Sequence, residues 1–262
     1  MPDNRVEIEH AGRVREMFAT IAVRYDLLNH LLSGQMDKRW RRLVAKRLLK
    51  KLGANATEAR ILDVACGTGD LSLQLFETIG GQVFGADFCR PMLDIAARKI
   101  SRAEPNLPLI EGDALRLPFL DRSFDGVTIA FGLRNLSNVE GGLAELFRVL
   151  KPGGTAGVLE FSKPVIPGFS FLFRIYFTKV LPFLGGLISG SKSAYQYLPD
   201  SVSRFPQQNE LAALMGKIGF VEVEYQNLSG GIAALHLGRR PDKFQKIGGD
   251  RIRPANEERS RD

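Results

Sequence analysis

The chain has 262 residues, of which 44% are hydrophobic and 25% are charged, and its formal net charge is +7. This length fits one domain with additions, and the composition excludes a fibrous or largely disordered chain. Two cysteines are too few for a disulfide framework, and no apolar segment follows a basic start at the N-terminus. We therefore expect a cytoplasmic protein without a secretory signal.

The first predicted elements are helices. Residues 7–52 show no strand pattern, and SGQMD at residues 33–37 breaks the helical pattern. Residues 37–52 contain eight Lys or Arg against one Asp, while their apolar residues recur at helical spacing. We interpret this segment as a basic amphipathic helix packed on the core, with a membrane surface or nucleic acid as alternative partners. Residues 1–52 are expected to form a helical cap.

A different pattern begins at Arg60. Five short apolar runs end in Gly, Asp or loop residues and alternate with longer helical stretches, which predicts an α/β fold with a parallel sheet. Two later runs, VEVEYQN and GIAALHLG, predict a closing pair of strands. We assign residues 53–241 to a core with a mostly parallel seven-stranded sheet. Residues 242–262 are polar and are punctuated by Gly248, Gly249 and Pro254, so we expect a disordered tail.

The first of these strands leads into a glycine turn and a helix, ILDVACGTGDLSLQLF. Gly67 and Gly69 allow a ligand to lie against bare backbone, and Thr68 offers a hydroxyl and an amide. The turn lacks the G-x-G-x-x-G pattern of dinucleotide folds, and Asp70 beside it disfavours phosphate. A cationic ligand suits this turn better.

Three acids end the first three predicted strands. Asp63 is placed to bind a positive amino group, Asp87 to hold two ribose hydroxyls, and Asp113 to accept from the amine of adenine. Each acid taken singly also fits a helix cap or a turn residue. Together they favour an adenosyl ligand that has an amino acid part and no phosphate.

These residues are motifs of the S-adenosylmethionine-dependent methyltransferases. Two further segments, YDLLNHLLSGQMDKRW and RVLKPGGTAGVLEFS, resemble the two signatures of the ubiquinone/menaquinone biosynthesis C-methyltransferases. Three other segments also resemble that family, namely FGLRN, AYQYLPDSVSRFP and LSGGIAALHLG. The resemblance covers residues 17–241 and implies a Rossmann-like class I fold. It implies methylation of a ring carbon of a polyprenylated quinol, most simply demethylmenaquinol to menaquinol. A demethylated ubiquinol precursor is the alternative substrate, and RNA is a less favoured one.

The resemblance also implies site residues. Arg134 and Asn135 are candidates to stabilise a phenolate, because a ring carbon beside an ionised hydroxyl is strongly nucleophilic and Arg stays protonated. Tyr25, Asp26 and Asn29 are candidate substrate contacts, with helix-end capping and a packed ring as the alternative. His236 is a candidate base, with a core histidine as the alternative. No metal is implied. The implied S-adenosylmethionine site consists of Asp63, Gly67, Thr68, Gly69, Asp87, Phe88, Asp113 and Ala114.

Two positions depart from the family pattern near these residues. Asp37 stands where the first signature usually has His, which leaves open any role of that imidazole. Ala130 stands where some relatives have Ser, so a hydroxyl contact near the cofactor is missing here.

An apolar insertion, residues 164–200, separates the fifth strand from the closing pair. Its segment FSFLFRIYFTKVLPFLGGLISG is interrupted by Arg174 and Lys179, which disfavours a membrane-spanning helix. We interpret it as a helical insertion over the substrate site that accepts a polyprenyl tail, with a buried core helix as the alternative. We expect transient contact with the inner face of a membrane and no nucleic acid partner. A homodimer is the default for a small enzyme.

Overall fold

The computed structural model describes residues 4–103, 106–166, 192–242 and 253–254. Helices and strands alternate through the centre of the chain, after two N-terminal helices. The helices are α1 (Asn4–Leu32), α2 (Met36–Leu52), α3 (Asp70–Ile79), α4 (Arg90–Ala103), α5 (Val139–Val149), α6 (Lys192–Arg204) and α7 (Gln208–Ile218). The strands are β1 (Arg60–Val64), β2 (Gln82–Asp87), β3 (Leu109–Glu111), β4 (Phe124–Ala130), β5 (Leu150–Phe161), β6 (Val221–Leu228), β7 (Ala233–Arg239) and β8 (Arg253–Pro254).

The strands form one sheet in the order β3-β2-β1-β4-β5-β7-β6-β8. Strands β1 to β5 pair in parallel, and β7 lies antiparallel between β5 and β6. The predicted class I fold and its closing strand pair are therefore confirmed. The strand β8 is an addition in the predicted tail, and the remainder of that tail beyond Asp242 lies outside the described residues. Because the strand order reverses beside β1, a crevice is expected at the carboxyl ends of β1 and β4.

The basic helix α2 packs on one face of this sheet. Trp40, Val44 and Leu48 are buried in a cluster that includes Ile61 of β1, while the cations of the opposite side face solvent. The interpretation as an amphipathic helix packed on the core is confirmed. Its predicted boundary with the core is at residue 52, where α2 ends. Since α2 is part of the main core, the separation of residues 1–52 as a cap stays a prediction.

The other face of the sheet is covered by α5 and α7. Leu143 and Leu146 of α5 and Met215 of α7 pack in a second cluster with Phe124 and Val127 of β4. Because helices cover both faces of the sheet, a ligand has access at the ends of the strands rather than at the faces.

Helix α1 has a different position from α2. It packs against α4 in a small cluster around Ala22, Cys89 and Met92, with Tyr25 and Phe88 beside them. Among the described residues, no helix combines the length and the apolar character needed to cross a membrane. Residues 167–191, which hold most of the predicted insertion, lie outside the described residues.

Candidate active site

A cavity lies at the carboxyl ends of β1, β2 and β4. Its empty volume is about 750 Å³, including open solvent at its mouth. Its size is in the range of small-molecule sites. Helix α1 contributes one wall through His10, Phe18 and Tyr25. Seven of the predicted site residues line this cavity, namely Tyr25, Gly67, Asp87, Phe88, Asp113, Ala114 and Asn135.

The two glycines of the first turn have different surroundings. Both have positive φ, 57° at Gly67 and 84° at Gly69, a backbone conformation that favours glycine. A Cβ added at Gly67 would meet nothing within 4 Å, whereas one added at Gly69 would lie 3.2 Å from the Cβ of Ala96 in α4. Gly67 thus leaves open space beside the cavity, and Gly69 allows close packing of α4.

Asp87 is held at the cavity wall by backbone amides. Its Oδ2 accepts from the amide of Gly67 and its Oδ1 from the amide of Cys89, both at 2.8 Å. Burial raises the pKa of this carboxyl, and the amide hydrogen bonds oppose that rise. Asp113 is exposed and its Oδ1 accepts from the amide of Leu115 at 2.9 Å. Both acids therefore make the backbone contacts of a turn residue, which was the alternative to ligand binding, and both also lie on the cavity wall.

Asp63 is not brought to the cavity. It is 1% exposed, and its carboxylate accepts from the hydroxyls of Ser72 at 2.7 Å and Thr128 at 3.1 Å. Burial raises the pKa of Asp63 to about 7, against the opposing effect of these hydrogen bonds. Both carboxylate oxygens of Asp63 therefore already accept hydrogen bonds within the protein. Its contact with a ligand amino group stays a prediction.

Thr68 fastens α1 to the glycine turn. Its hydroxyl donates to Oδ1 of Asp26 at 2.5 Å, and the ammonium of Lys99 lies 2.5 Å from Oδ2 of the same residue. Lys99 also donates to Asp70 at 2.7 Å. Asp26 belongs to the first family signature, and its predicted contact with the substrate stays a prediction, because its carboxylate is bonded to Thr68 and Lys99 in the structure. These contacts place α1 against the same turn that borders the cavity.

A second polar group joins α1, α2 and α3. Nδ1 of His30 lies 2.7 Å from Asp37, and its Nε2 lies 3.6 Å from Asp70. An imidazole therefore contacts position 37, where the signature usually has His itself. Burial of Asp37 alone would raise its pKa, but the hydrogen bond from Ser33 and the charge of Arg41 lower it below its usual value.

The same group has the donor types of a metal site, since His30, Asp37 and Asp70 converge. The guanidinium of Arg41, however, bonds to Asp37 and lies 3.5 Å from Asp70. Lys99 is also paired with Asp70, so two of the protein's own cations contact the carboxylates that would bind the ion.

Arg134 and Asn135 follow β4 in a short 3₁₀ turn, Leu133–Asn135. Nη1 of Arg134 donates to Glu160 at 2.8 Å and also to the carbonyl of Phe131, while its buried Nε has no hydrogen-bond partner in the described part of the chain. The amide nitrogen of Asn135 donates to Phe131 at 3.1 Å, and its buried Oδ1 has no partner there either. A donor and an acceptor are thus left over beside the cavity.

Tyr25 lies on the cavity wall contributed by α1. Its ring packs edge-on against Phe18, with ring centroids 5.9 Å apart. Burial raises the pKa of its hydroxyl, and the charges of Arg134 and Arg41 oppose that rise. The hydroxyl is therefore a neutral hydrogen-bonding group at neutral pH. Both a packed ring and a substrate contact are compatible with this position.

His236 is not brought to the cavity. It is 2% exposed, its Nε2 bonds to the carbonyl of Gln208 at 2.8 Å, and its ring stacks on Tyr225 at 5.3 Å. Burial lowers the pKa of His236 to about 4, so the ring is neutral at pH 7. This placement fits the core-histidine alternative and gives no support to a role as base.

His10 and Glu160 are site residues that the sequence-based prediction missed. Nε2 of His10 lies 3.1 Å from the carbonyl of Asn135, and His10 lines the cavity. It precedes every segment that carries the family resemblance, so no sequence signal marked it. Glu160 lies within the second signature, but only its contact with Arg134 distinguishes it from a surface acid.

The sequence and fold have known relatives. A demethylmenaquinone methyltransferase of Thermus thermophilus is 52% identical over 86% of this chain and 100% of its own length. A ubiquinone/menaquinone biosynthesis C-methyltransferase UbiE of a Geobacter species is 44% identical over 88% of this chain and 98% of its own. A solved S-adenosylmethionine-dependent methyltransferase from Thermotoga maritima shares the fold with a TM-score of 0.58 at 21% identity, over 88% of this chain and 100% of that one. Residues 6–240 match the ubiE/COQ5 methyltransferase family, and the chain therefore belongs to that family.

Proposed function

We propose that this protein transfers a methyl group from S-adenosylmethionine to a ring carbon of a polyprenylated quinol, converting demethylmenaquinol to menaquinol. The family match over residues 6–240 and the relatives named for this activity support the proposal. The observation that carries it is the unpaired donor of Arg134 and the unpaired acceptor of Asn135 next to a cavity suited to an adenosyl ligand.

The residues of the cavity fit S-adenosylmethionine. Gly67 leaves space for a ligand against the backbone, Asp87 offers carboxylate lone pairs to ribose hydroxyls, and Asp113 with Ala114 borders the place of the adenine. When bound, the cofactor supplies an electrophilic methyl group on a sulfonium. The protein's remaining task is to align the ring carbon and to increase its nucleophilicity.

Arg134 and Asn135 are suited to that second task. A phenol has a pKa near 10, so a neutral hydroxyl on the ring needs help to ionise at pH 7. A buried guanidinium stabilises the phenolate, and Oδ1 of Asn135 accepts a hydrogen bond from the ring hydroxyl that stays neutral. The hydroxyl proton leaves to water, because Arg134 is already protonated. The ring carbon would gain the methyl group and give up its own proton to water, which restores the aromatic ring as a phenolate beside Arg134.

Methyl transfer from labelled S-adenosylmethionine tests this function. The purified chain is incubated with demethylmenaquinol, with a demethylated benzoquinol precursor and with RNA, the lipids being supplied in detergent or vesicles. We expect label in menaquinol, and comparison of the two quinols shows whether the ubiquinol precursor is also used. Label in RNA with none in either quinol, from a preparation that binds the cofactor, would overturn the proposal.

Contact with a membrane surface forms the second part of the proposal. Val23, Leu27 and Leu31 are 88%, 60% and 57% exposed and recur at four-residue spacing on one side of α1. The adjoining helix α2 has exposed cations at Lys38, Arg39, Arg42, Lys46 and Lys50. An apolar stripe with nearby cations supports binding to anionic lipid, where a polyprenylated substrate resides.

Sedimentation with vesicles tests this contact. We expect the chain to bind vesicles with anionic lipid more than zwitterionic ones, and a variant with Val23, Leu27 and Leu31 changed to Ser to bind less. Leu120→Ser is the matched control, because Leu120 is 83% exposed and belongs to the connection between β3 and β4. Equal vesicle binding by the triple variant and the control would contradict the contact through α1.

A further inference from the structure

Glu160 is the penultimate residue of β5, and its side chain is 1% exposed. The carboxylate accepts three hydrogen bonds. Oε1 accepts from Nη1 of Arg134 and from the amide of Phe161, both at 2.8 Å, and Oε2 accepts from the backbone amide of Arg134 at 3.2 Å. Glu160 therefore holds both the side chain and the main chain of one residue.

From this arrangement we infer that Glu160 is a positioning residue for methyl transfer, which fixes the guanidinium of Arg134 in place for the substrate. The inference rests on the proposed function, in which Arg134 stabilises the phenolate. Glu160 does not itself contact the reacting atoms in this assignment. It acts by deciding which of the guanidinium's donors remains available.

The contacts of Arg134 constrain its guanidinium on several sides. Nη1 is taken by Glu160 and by the carbonyl of Phe131, and the guanidinium carbon lies 5.2 Å from the centroid of the Phe161 ring. Nε is the buried donor that has no partner among the described residues. A side chain that is 7% exposed and held in this way is preorganised, which is the condition under which a donor stabilises developing charge most effectively.

Stability alone is a weak explanation for this ion pair. A buried ion pair must repay the desolvation of both charges, and well-packed apolar residues often serve stability equally well. The Arg134–Glu160 pair lies at the carboxyl ends of β4 and β5, where α/β folds place their ligand sites. In the pair, the carboxylate of Glu160 offsets the charge of the Arg134 guanidinium and fixes its orientation. The guanidinium then offers a hydrogen-bond donor in a defined direction rather than a free positive charge.

A mutant cycle on kcat tests the inference. We expect Glu160→Gln to lower kcat by about 10- to 100-fold, with the Kd of S-adenosylmethionine changed by less than about twofold. We expect Glu160→Asp, which keeps the charge, to recover part of that loss. In an Arg134→Gln background, Glu160→Gln should change kcat by less than about threefold, because the residue that it positions is already gone.

Glu145→Gln is the matched control, since Glu145 pairs with Arg148 on α5, outside the cavity lining, and should leave kcat unchanged. Thermal unfolding and cofactor binding are measured for every variant; if Glu160→Gln does not fold, Glu160→Asp is compared in the wild-type and Arg134→Gln backgrounds instead. Full kcat in the Glu160 variants, or losses that multiply with that of Arg134→Gln, would overturn the inference. Absence of quinol methylation by the wild-type chain would instead overturn the proposed function.

Discussion

The two sides of the cavity satisfy their polar groups in different ways. On the side of β1 to β3, Asp87 bonds to the amides of Gly67 and Cys89, and Asp113 bonds to the amide of Leu115. On the side of β4 and β5, three buried atoms have no hydrogen-bond partner among the described residues: Oδ1 of Asn135, which lines the cavity, and Nε of Arg134 and Oγ of Ser162, which lie outside its lining. One side is a turn completed by its own backbone, whereas the other retains hydrogen-bonding capacity that a ligand can use.

The difference also concerns distance along the chain. Asp87 lies 20 residues from Gly67 and two from Cys89, within one strand–turn–helix unit and its successor. The β4–β5 side depends on Arg134 meeting Glu160 and on α1, whose His10 reaches Asn135 across 125 residues. Helix α1 also contacts the glycine turn through Asp26 and Thr68, so both sides depend on it. The β4–β5 side, which holds Arg134 and Asn135, should control turnover more than cofactor affinity.

The largest expected effect is that of Arg134→Gln. Loss of the buried guanidinium should lower kcat by about 10²- to 10³-fold, the usual consequence of removing one donor to developing negative charge. The Kd of S-adenosylmethionine should stay within about twofold, because Arg134 does not line the cavity. Single-turnover methyl transfer and calorimetric cofactor binding separate the two quantities. A variant that loses cofactor affinity while retaining kcat would reverse the assignment of the two sides.

Asp87→Ala should break the other side. We expect the Kd of S-adenosylmethionine to rise by about 10- to 100-fold, since hydrogen bonds to a charged group contribute about 1.5–3 kcal/mol. At saturating cofactor, kcat should fall much less. Asp94→Asn is the control, because Asp94 is exposed on α4 and pairs only with Arg90 in the described structure. Equal cofactor affinity of the Asp87 variant and the control would contradict the ribose assignment.

Asp26→Asn sharpens the comparison by loosening α1. The substitution removes the charge that holds Lys99 and weakens the contact with Thr68, so the wall that α1 contributes should dock less firmly. We expect kcat/KM for the quinol to fall by about fivefold, in keeping with a partly exposed ion pair worth about 1 kcal/mol. Hydrogen exchange of α1 amides should accelerate. Unchanged exchange in α1 would show that Asp26 does not fasten it.

His236→Gln should have the smallest effect on activity. We expect kcat/KM within about twofold of wild type, because His236 bonds to Gln208 outside the cavity. A loss of about 100-fold with normal folding would restore the base assignment of His236.

The same residue predicts a pH dependence of stability. Burial lowers the pKa of His236 in the folded protein to about 4, below the usual 6.5. The contribution of the neutral ring to the free energy of unfolding is therefore fully present above pH 6.5 and is lost as the pH falls from 6.5 to 4. Asp63, whose pKa burial raises to about 7, titrates in the same range in both proteins, so the contribution of His236 is read from the difference between wild type and Gln variant, which should amount to roughly 3 kcal/mol of unfolding free energy. Denaturant unfolding at pH 7.5 and 4.5 measures it.

The sequence alone determined much of the β1–β3 side. The glycine turn, the strand-end acids and the apolar stripe of α2 follow from residue spacing, because turn geometry and amphipathic period are local properties. Gly67 and Asp87 line the cavity, and their binding of the cofactor stays a prediction. The family resemblance added Arg134 and Asn135, which spacing would not have identified.

Only the tertiary structure decided which side chains meet across elements. The structure shows that Asp63 bonds to Ser72 and Thr128 and that His236 packs against Tyr225 outside the cavity, contacts that residue spacing does not predict. The pairing of Glu160 with Arg134 joins two strands, and that of His30 with Asp37 joins two helices. A sequence period tells which face a side chain points to, but not what lies opposite it. That depends on strand order, register and helix packing, which are fixed only when the whole chain folds.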